Sequence, residues 1–316
     1  MMRALITGGA GFIGSHLVDA LVARGDDCTV LDDLSRGTRD NLAHLTDQVT
    51  LIEGSVTDQD LVGDLAPEFD AIYHLASVVG VRSTIANPAK VIEVAVTGTA
   101  NLLRTAAPDA AFLVASSSEI YGRSVATPFD EQTPGLLGPP QAARWSYAHA
   151  KACMEHLALA AGSTSRRPAS VIRYFNVFGP RMPRSVDPSV ITLFLDAAQA
   201  GQDLVIYGAG TQTRSFVFVQ DAVDGTIAAC ERGSGAVVNL GGPQETSIAD
   251  LAEQILSTTS SKSTVQRVAL PTALGLTSEE PHRRSATGVL AAELLDWKPQ
   301  TSLTEGLDTT WTSWPA

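Results

Sequence analysis

Two short runs in the chain carry side chains able to move protons. Tyr147-Ala148-His149-Ala150-Lys151 sets a phenol and an ammonium four residues apart, so on a helix they share one face. An ammonium held there would lower the phenol's pKa toward neutrality, and a phenolate can take a proton from a hydroxyl while the carbinol hydride leaves. Ser116-Ser117-Ser118-Glu119-Ile120-Tyr121-Gly122 supplies the rest of such chemistry. A Ser can hydrogen-bond the oxygen being oxidised, and Glu119 can move a proton on the neighbouring carbon. Each run is common alone, the first on surface helices and the second as a helix cap. Their meaning rests on what accompanies them.

What accompanies them is a place to put the hydride. Ala4-Leu5-Ile6 is a short apolar strand that runs into Thr7-Gly8-Gly9-Ala10-Gly11-Phe12-Ile13-Gly14 and then into helical spacing at His16, Leu17, Ala20 and Leu21. The three glycines suit a tight turn, a backbone approaching a pyrophosphate, and a helix packed close on a strand. Gly25 stops the helix, and a second buried strand, Cys28 to Leu31, ends on Asp32, 18 residues past Gly14. An acid there holds the adenosine ribose of NAD and repels a 2′-phosphate. Arg36 is the contrary sign, since it could welcome the phosphate of NADP.

Strand-like runs recur at 49–52, 71–75, 111–115 and 170–174, separated by helical stretches such as Val91 to Arg104. Such alternation predicts an α/β fold, a Rossmann-like doubly wound parallel sheet with its ligand crevice at the strands' carboxyl ends. After Gly179-Pro180 the chain breaks into short elements, which predicts a smaller C-terminal α/β substrate domain. The expected division is 1–176 plus about 215–240 for the NAD-binding domain, and 177–214 with 241–316 for the other. Phe216 to Val219, and with it the helix after Asp221, is expected to return to the main sheet.

At 316 residues, 44% hydrophobic and 18% charged, the chain is long enough for a sizeable core and has the make-up of a soluble globule. A formal net charge of −12 excludes a general affinity for nucleic acid or anionic membrane, so anionic ligands must be met by individually placed arginines. Cys28, Cys153 and Cys230 have no metal-ligand spacing and read as small buried hydrophobes of a reducing compartment. No metal site, membrane span or signal peptide is expected, and the expected location is cytoplasmic.

Together these residues resemble the extended short-chain dehydrogenase/reductases that act on nucleotide sugars, the NAD-dependent epimerase/dehydratase family. The resemblance covers nearly the whole chain. It rests on Thr7 to Gly14, Asp32 to Ser35, His74 to Ala76, Ser117 to Gly122, Tyr147 with Lys151, Arg173 to Arg181, Tyr207 to Asp221, Asn239 to Gly242 and Leu295 to Pro299. It implies a tightly bound NAD, recycled within each turnover, with Tyr147 as base, Lys151 as its electrostatic partner and Ser117 on the 4-hydroxyl. Cofactor contacts would fall on Gly8, Gly11, Phe12, Ile13, Gly14, Asp32, Ser35, Arg36, Val56, Leu75, Ala76 and Tyr174, besides Tyr147 and Lys151. For a UDP-linked substrate, Asn176 and Arg214 would hold the pyrophosphate, Tyr207 would stack near the uracil, Arg82 would lie beside the sugar, and Arg283 or Arg284 would touch a phosphate. Arg181 and Ser189 complete the implied substrate residues. Ser55 and Ala95 stand where relatives usually have Asp and Asn. Relatives dimerise through a four-helix bundle, for which Val91 to Arg104 and Ser146 to Ala160 are the matching helices.

The family's reactions begin with oxidation at C4 and diverge afterwards. Glu119 points away from simple 4-epimerases, which tend to have a small residue there, and Ser118 away from dTDP-glucose 4,6-dehydratases. The motifs are most similar to UDP-glucuronate decarboxylases, in which the carboxylate of a 4-keto-hexuronate lies β to the ketone and leaves as CO₂. Ser189 stands where decarboxylases carry an Arg facing that carboxylate, and Arg82, Arg181 or Arg184 are the expected substitutes. The expectation is a UDP-glucuronate decarboxylase making UDP-xylose, with some UDP-4-keto-pentose released. A UDP-sugar 4-epimerase is the second reading, and a non-catalytic NAD-binding regulator the third.

Overall fold

The computed structural model describes residues 1–164, 169–184, 186–233, 235–269 and 281–315. β1 (Arg3–Thr7), β2 (Asp27–Asp32), β3 (Val49–Glu53), β4 (Ala71–His74), β5 (Ala111–Ser117) and β6 (Ala169–Tyr174) follow the apolar runs of the sequence. They form one sheet with the later β10 (Val237–Leu240), in the order β10-β6-β5-β4-β1-β2-β3, and every pairing in it is parallel. Helices cover both faces, so the strands read as apolar throughout. On β1 the side chains alternate: Ala4 and Ile6 join a core with Leu17, Val30 and Tyr73, whereas Leu5 joins one with Ile72, Phe112 and Met154. Strand order reverses between β1 and β4, which opens the crevice where the two loops part.

β7 (Asn176–Phe178), β9 (Thr213–Phe218), β11 (Glu245–Ser247) and β13 (Arg283–Arg284) make a second sheet, and β8 (Leu204–Tyr207) pairs with β12 (Val265–Val268). Around them lies a separate core of Phe178, Phe194, Leu195, Phe216, Leu251 and Leu307. The expected return of the strand at Phe216 to the main sheet is therefore corrected, while the helix after Asp221 does pack there. β9 pairs with β7, β11 and β13, and it is the following helix, Val219–Arg232, that packs on β5 and β6 and leads to β10.

The stretch read as one helix from Val91 to Arg104 runs unbroken within Pro88 to Thr105 but widens to a π-helical turn at Glu93–Thr97, between Pro88–Ile92 and Gly98–Thr105. The wider turn presents Val94 to the cleft while Val91 and Ala95 stay in the core. Cys28 and Cys230 are buried, but Cys153 is exposed on its helix.

Candidate active site

A cleft of about 480 Å³ runs along the carboxyl ends of the strands. At one end β1 turns through Gly8, at φ +74°, into the helix Phe12–Ala23. A Cβ on Gly8 would stand 2.8 Å from the Ala76 backbone nitrogen, and one on Gly14 would stand 2.2 Å from the Gly8 carbonyl oxygen. Only glycine lets loop, neighbouring strand end and helix approach this closely. No side chain among the described residues caps this helix, so its first amides face the cleft as an anion site. Asp32 is buried at the end of β2, where Oδ2 accepts from Ala10 N–H and Oδ1 from Leu34 N–H, both at 2.9 Å. Burial raises its pKa against those two bonds. Each oxygen keeps a lone pair for a ribose hydroxyl, so the cradle and the acid both fit NAD.

Gly11, Phe12, Ile13, Ser35, Val56, Leu75, Ala76 and Tyr174 also line the cleft, as expected of cofactor contacts. Arg36 lines it too, but its guanidinium is engaged. Nη2 donates to Val79 O at 2.8 Å, to Ser83 Oγ and to Asp187 Oδ2 at 3.2 Å, which ties it across the cleft mouth instead of leaving it for a 2′-phosphate. Ser55 Oγ pairs with Thr57 Oγ1 at 2.8 Å.

Further along, β5 delivers Ser117 and the short turn Ser118–Tyr121 delivers Glu119, opposite the helix Ser146–Thr164 that carries Tyr147 and Lys151. Tyr147 and Ser117 share a hydrogen bond. Lys151 is 2% exposed; its Nζ donates to Ala115 O at 2.7 Å and lies 5.6 Å from the centre of the Tyr147 ring. The expected lowering of the phenol's pKa is absent here. Burial pushes Tyr147 up, against the Ser117 hydrogen bond and with help from Glu119, while burial brings Lys151 down to about 7 against the pull of Glu155. Desolvation outweighs a cation that is directed at a backbone carbonyl.

Glu119 sits in a cationic clamp that the motifs did not reveal. Its Oε1 accepts from Arg284 Nη1, and its Oε2 lies 3.7 Å from Arg144 Nη2. Burial would raise its pKa, but Arg284, Arg144 and Arg214 hold it below the usual carboxylate range. Arg284 is 4% exposed, lines the cleft, and keeps Nε and Nη2 buried without hydrogen-bond partners among the described residues. β13 explains why the sequence could not choose between neighbours: successive side chains point to opposite faces. Arg284 goes inward, while Arg283 goes outward to Glu245, with bonds of 2.8 and 2.6 Å.

Several implied substrate residues lie elsewhere. Asn176 lines the cleft and donates to Ser215 O at 3.2 Å. Ser189 also lines it, but as the cap of the helix Val190–Gln199, accepting from Thr192 N–H at 3.1 Å. Arg82, Arg181, Tyr207, Arg214 and Arg283 are not among the lining residues. Arg82 is exposed, and its backbone N–H donates to Asp187. Arg181 pairs with Asp19 at 2.8 Å, and Arg184 pairs with Asp196 at 2.7 Å and stacks on Trp314. Of the three arginines expected to replace the one missing at Ser189, Arg181 and Arg184 are thus held by other partners and Arg82 is exposed outside the lining; Arg144 and Arg284 bring positive charge into the cleft instead. Arg214 donates to the carbonyls of Thr213 and Pro281 at the back of the Glu119 clamp.

A glycine-cradled anion site, a ribose-side acid and a Tyr–Lys–Ser group facing one cleft define a nucleotide-cofactor enzyme of the doubly wound class. Residues 4–241 match the NAD dependent epimerase/dehydratase family, and the chain belongs to it. It is 37% identical over 310 residues to UDP-N-acetyl-alpha-D-glucosaminuronate decarboxylase of Bacillus cytotoxicus, across 98% of this chain and 96% of that protein. It is 36% identical over 307 residues to UDP-glucuronic acid decarboxylase 1 of Arabidopsis thaliana, across 97% and 68%. The fold is similar to UDP-glucose 4-epimerase of Thermotoga maritima, solved with UDP-glucose, at a TM-score of 0.89, 27% identity and coverage of 99% and 98%. It is also similar to the dTDP-glucose 4,6-dehydratase DesIV of Streptomyces venezuelae, solved with NAD, at 0.86, 30% identity and coverage of 98% and 96%. The chain is an NAD-dependent enzyme.

Proposed function

We propose that the protein is an NAD-dependent UDP-glucuronate decarboxylase that makes UDP-xylose. The observation that carries this reading is the clamp of Arg144 and Arg284 around Glu119, in the same cleft as Tyr147 and Ser117. A neutral hexose brings no acceptor for the Arg284 donors that Glu119 leaves unpaired, whereas a hexuronate brings a carboxylate to share the clamp.

Gly8, Gly11, Gly14 and Asp32 would hold NAD, which when bound supplies the hydride acceptor for C4 and returns the hydride at the end. Tyr147 takes the proton of the 4-hydroxyl as a phenolate, oriented by Ser117, the positive charge that NAD would bring to the cleft offsetting the burial that raises the phenol. In the 4-keto sugar the bond from C5 to the carboxylate breaks, CO₂ leaves, and the electron pair enters an enolate whose oxygen faces the Tyr147 and Ser117 hydroxyls. Glu119 rests ionised, so it begins as an acceptor. A substrate carboxylate sharing Arg284 raises the pKa of Glu119 by like-charge repulsion, so Glu119 takes up a proton from solvent while that carboxylate is bound and delivers it to C5 once CO₂ has left. With serine at 189 the cations grip the acid from the Glu119 side alone, and a share of UDP-4-keto-pentose escapes before reduction.

The Bacillus relative favours a second substrate, UDP-N-acetylglucosaminuronate, for the same reaction. The nucleotide-sugar end of the cleft belongs to the C-terminal domain, and the NAD end to residues 1–176 with the helix and strand of 219–240. We also propose a cytoplasmic homodimer, built by packing the 88–105 stretch and the helix Ser146–Thr164 of two copies into a four-helix bundle. Exposed Ile85 and Ile92 lie on or beside the first stretch.

Incubation with NAD and each of UDP-glucuronate, UDP-N-acetylglucosaminuronate, UDP-galacturonate and UDP-glucose, followed by mass spectrometry, tests the reading. A product lighter by CO₂ from a uronate supports decarboxylation. A new isomer of unchanged mass, with no CO₂, makes the enzyme an epimerase.

A further inference from the structure

Behind the Tyr147 and Lys151 pair lies a second buried ionic group that no step above uses. Glu155 stands four residues after Lys151 on the same helix, and eight after Tyr147, so all three follow one helical face. Its Oε1 accepts from Ser116 Oγ and from Arg173 Nε at 3.0 Å, and its Oε2 accepts from Arg173 Nη2 at 2.7 Å. Arg173 Nη1 donates to the Tyr121 hydroxyl at 2.9 Å and to Glu131 O at 3.0 Å, and Tyr121 donates to Asn239 Oδ1 at 2.8 Å. Glu155 and Arg173 are 6% and 8% exposed.

The places these bonds reach are what give the pair its meaning. Ser116 lies between Ala115, whose carbonyl receives the Lys151 ammonium, and Ser117; Tyr121 lies two residues after Glu119. The pair therefore fastens the end of β5 and the turn after it, which carry Ser117 and Glu119, to the helix that carries Tyr147 and Lys151. Stability is a poor reason for it, because a buried ion pair can often be replaced by apolar packing without loss. We propose that Glu155 and Arg173 are positioning residues: they fix the two catalytic segments in register, and Glu155 keeps a negative charge behind Lys151.

This rests on the roles given to Tyr147 and Lys151 above, but not on the identity of the sugar. The titratable and charged groups around Lys151 are Tyr147 and Glu155 on its own helix, His74 of β4, Glu119 beside Tyr147, and Arg173 of β6 behind Glu155. Burial lowers Lys151 and Glu155 alone raises it appreciably, so removing Glu155 moves Lys151 further down.

The test uses the NAD-loaded protein labelled with ¹³C at lysine Cε, in which Lys151 must be resolved from Lys90, Lys262 and Lys298. Glu155→Gln leaves Arg173 as an unpaired buried charge and can fail to fold, so the main variant is E155Q/R173Q, with E155D as the conservative one. In E155Q/R173Q Lys151 should titrate about one pH unit lower than in wild type, with E155D close to wild type. With any nucleotide sugar that wild type turns over, kcat of E155Q/R173Q should fall about tenfold while KM changes less than about twofold, as expected when the interaction lost is felt in the transition state alone. A folded E155Q/R173Q whose Lys151 titrates as in wild type overturns the proposal and makes the pair a core element only. The titration needs no substrate, so a wild type that releases no CO₂ refutes the decarboxylase reading without touching this one.

Discussion

The strongest demand on the site falls on Arg284, and Arg284→Met probes it. Methionine fills much of the same volume but removes the charge, in a side chain that is 4% exposed and bonded to Glu119 through Nη1 alone. Two losses follow. The substrate carboxylate loses a charge-assisted contact, worth roughly 3 kcal/mol and so about 150-fold in kcat/KM. Glu119 keeps only Arg144, 3.7 Å away, with Arg214 further off, so its pKa rises and its share as a carboxylate near neutrality shrinks. UDP-glucose has no carboxylate to lose and serves as the internal control. The variant should oxidise it at C4, read as absorbance of reduced nicotinamide in one turnover, with less than about a fivefold loss, because no charge-assisted contact is missing. CO₂ release from UDP-glucuronate, measured in parallel, should carry the large loss. Equal losses on both substrates, with the melting temperature unchanged, would refute the carboxylate contact and return Arg284 to a structural partner of Glu119.

Three further outcomes follow from the same geometry. Tyr147→Phe should lose about 10²- to 10⁴-fold in kcat while NAD still binds, as nucleotide titration would register; full turnover would remove Tyr147 from the chemistry. Gly14→Ala places a methyl 2.2 Å from the Gly8 carbonyl oxygen, so the variant should fold yet purify without nicotinamide, as its absorbance spectrum would reveal. His74 is completely buried between Thr7 and Thr99, where burial, and then Lys151, depress its pKa from 6.5 to about 3. Between those values the unfolded chain takes up a proton that the folded one refuses. The stability of the neutral His74 is therefore intact above pH 6.5 and drains away as pH falls toward 3, by about 1.4 kcal/mol per pH unit. Urea unfolding at several pH values should give a shallower acid slope for His74→Asn; an unchanged slope would mean that His74 is not the group responsible.

The sequence by itself determined the main sheet, the cofactor loop and the class of chemistry, because each is a local pattern. Ala4 to Ile6 is an apolar run that reads as a buried strand, Gly8 and Gly14 stand where no Cβ fits, and Tyr147 and Lys151 share a face by helical arithmetic. What it could not determine depends on side chains brought together from distant segments. Arg144, Arg284 and Glu119 meet from three elements, and which of Arg283 and Arg284 turns inward depends on the pairing of β13 with β9, which no local pattern encodes. Arg82, Arg181 and Arg184 are cations of the right kind in the right region, yet the first lies out on the surface and the other two pair with Asp19 and Asp196. The phenol went the same way. Spacing put an ammonium near Tyr147, but the ammonium's hydrogen bond to Ala115 and the packing around the phenol are tertiary facts, and they set the direction in which its proton affinity moves.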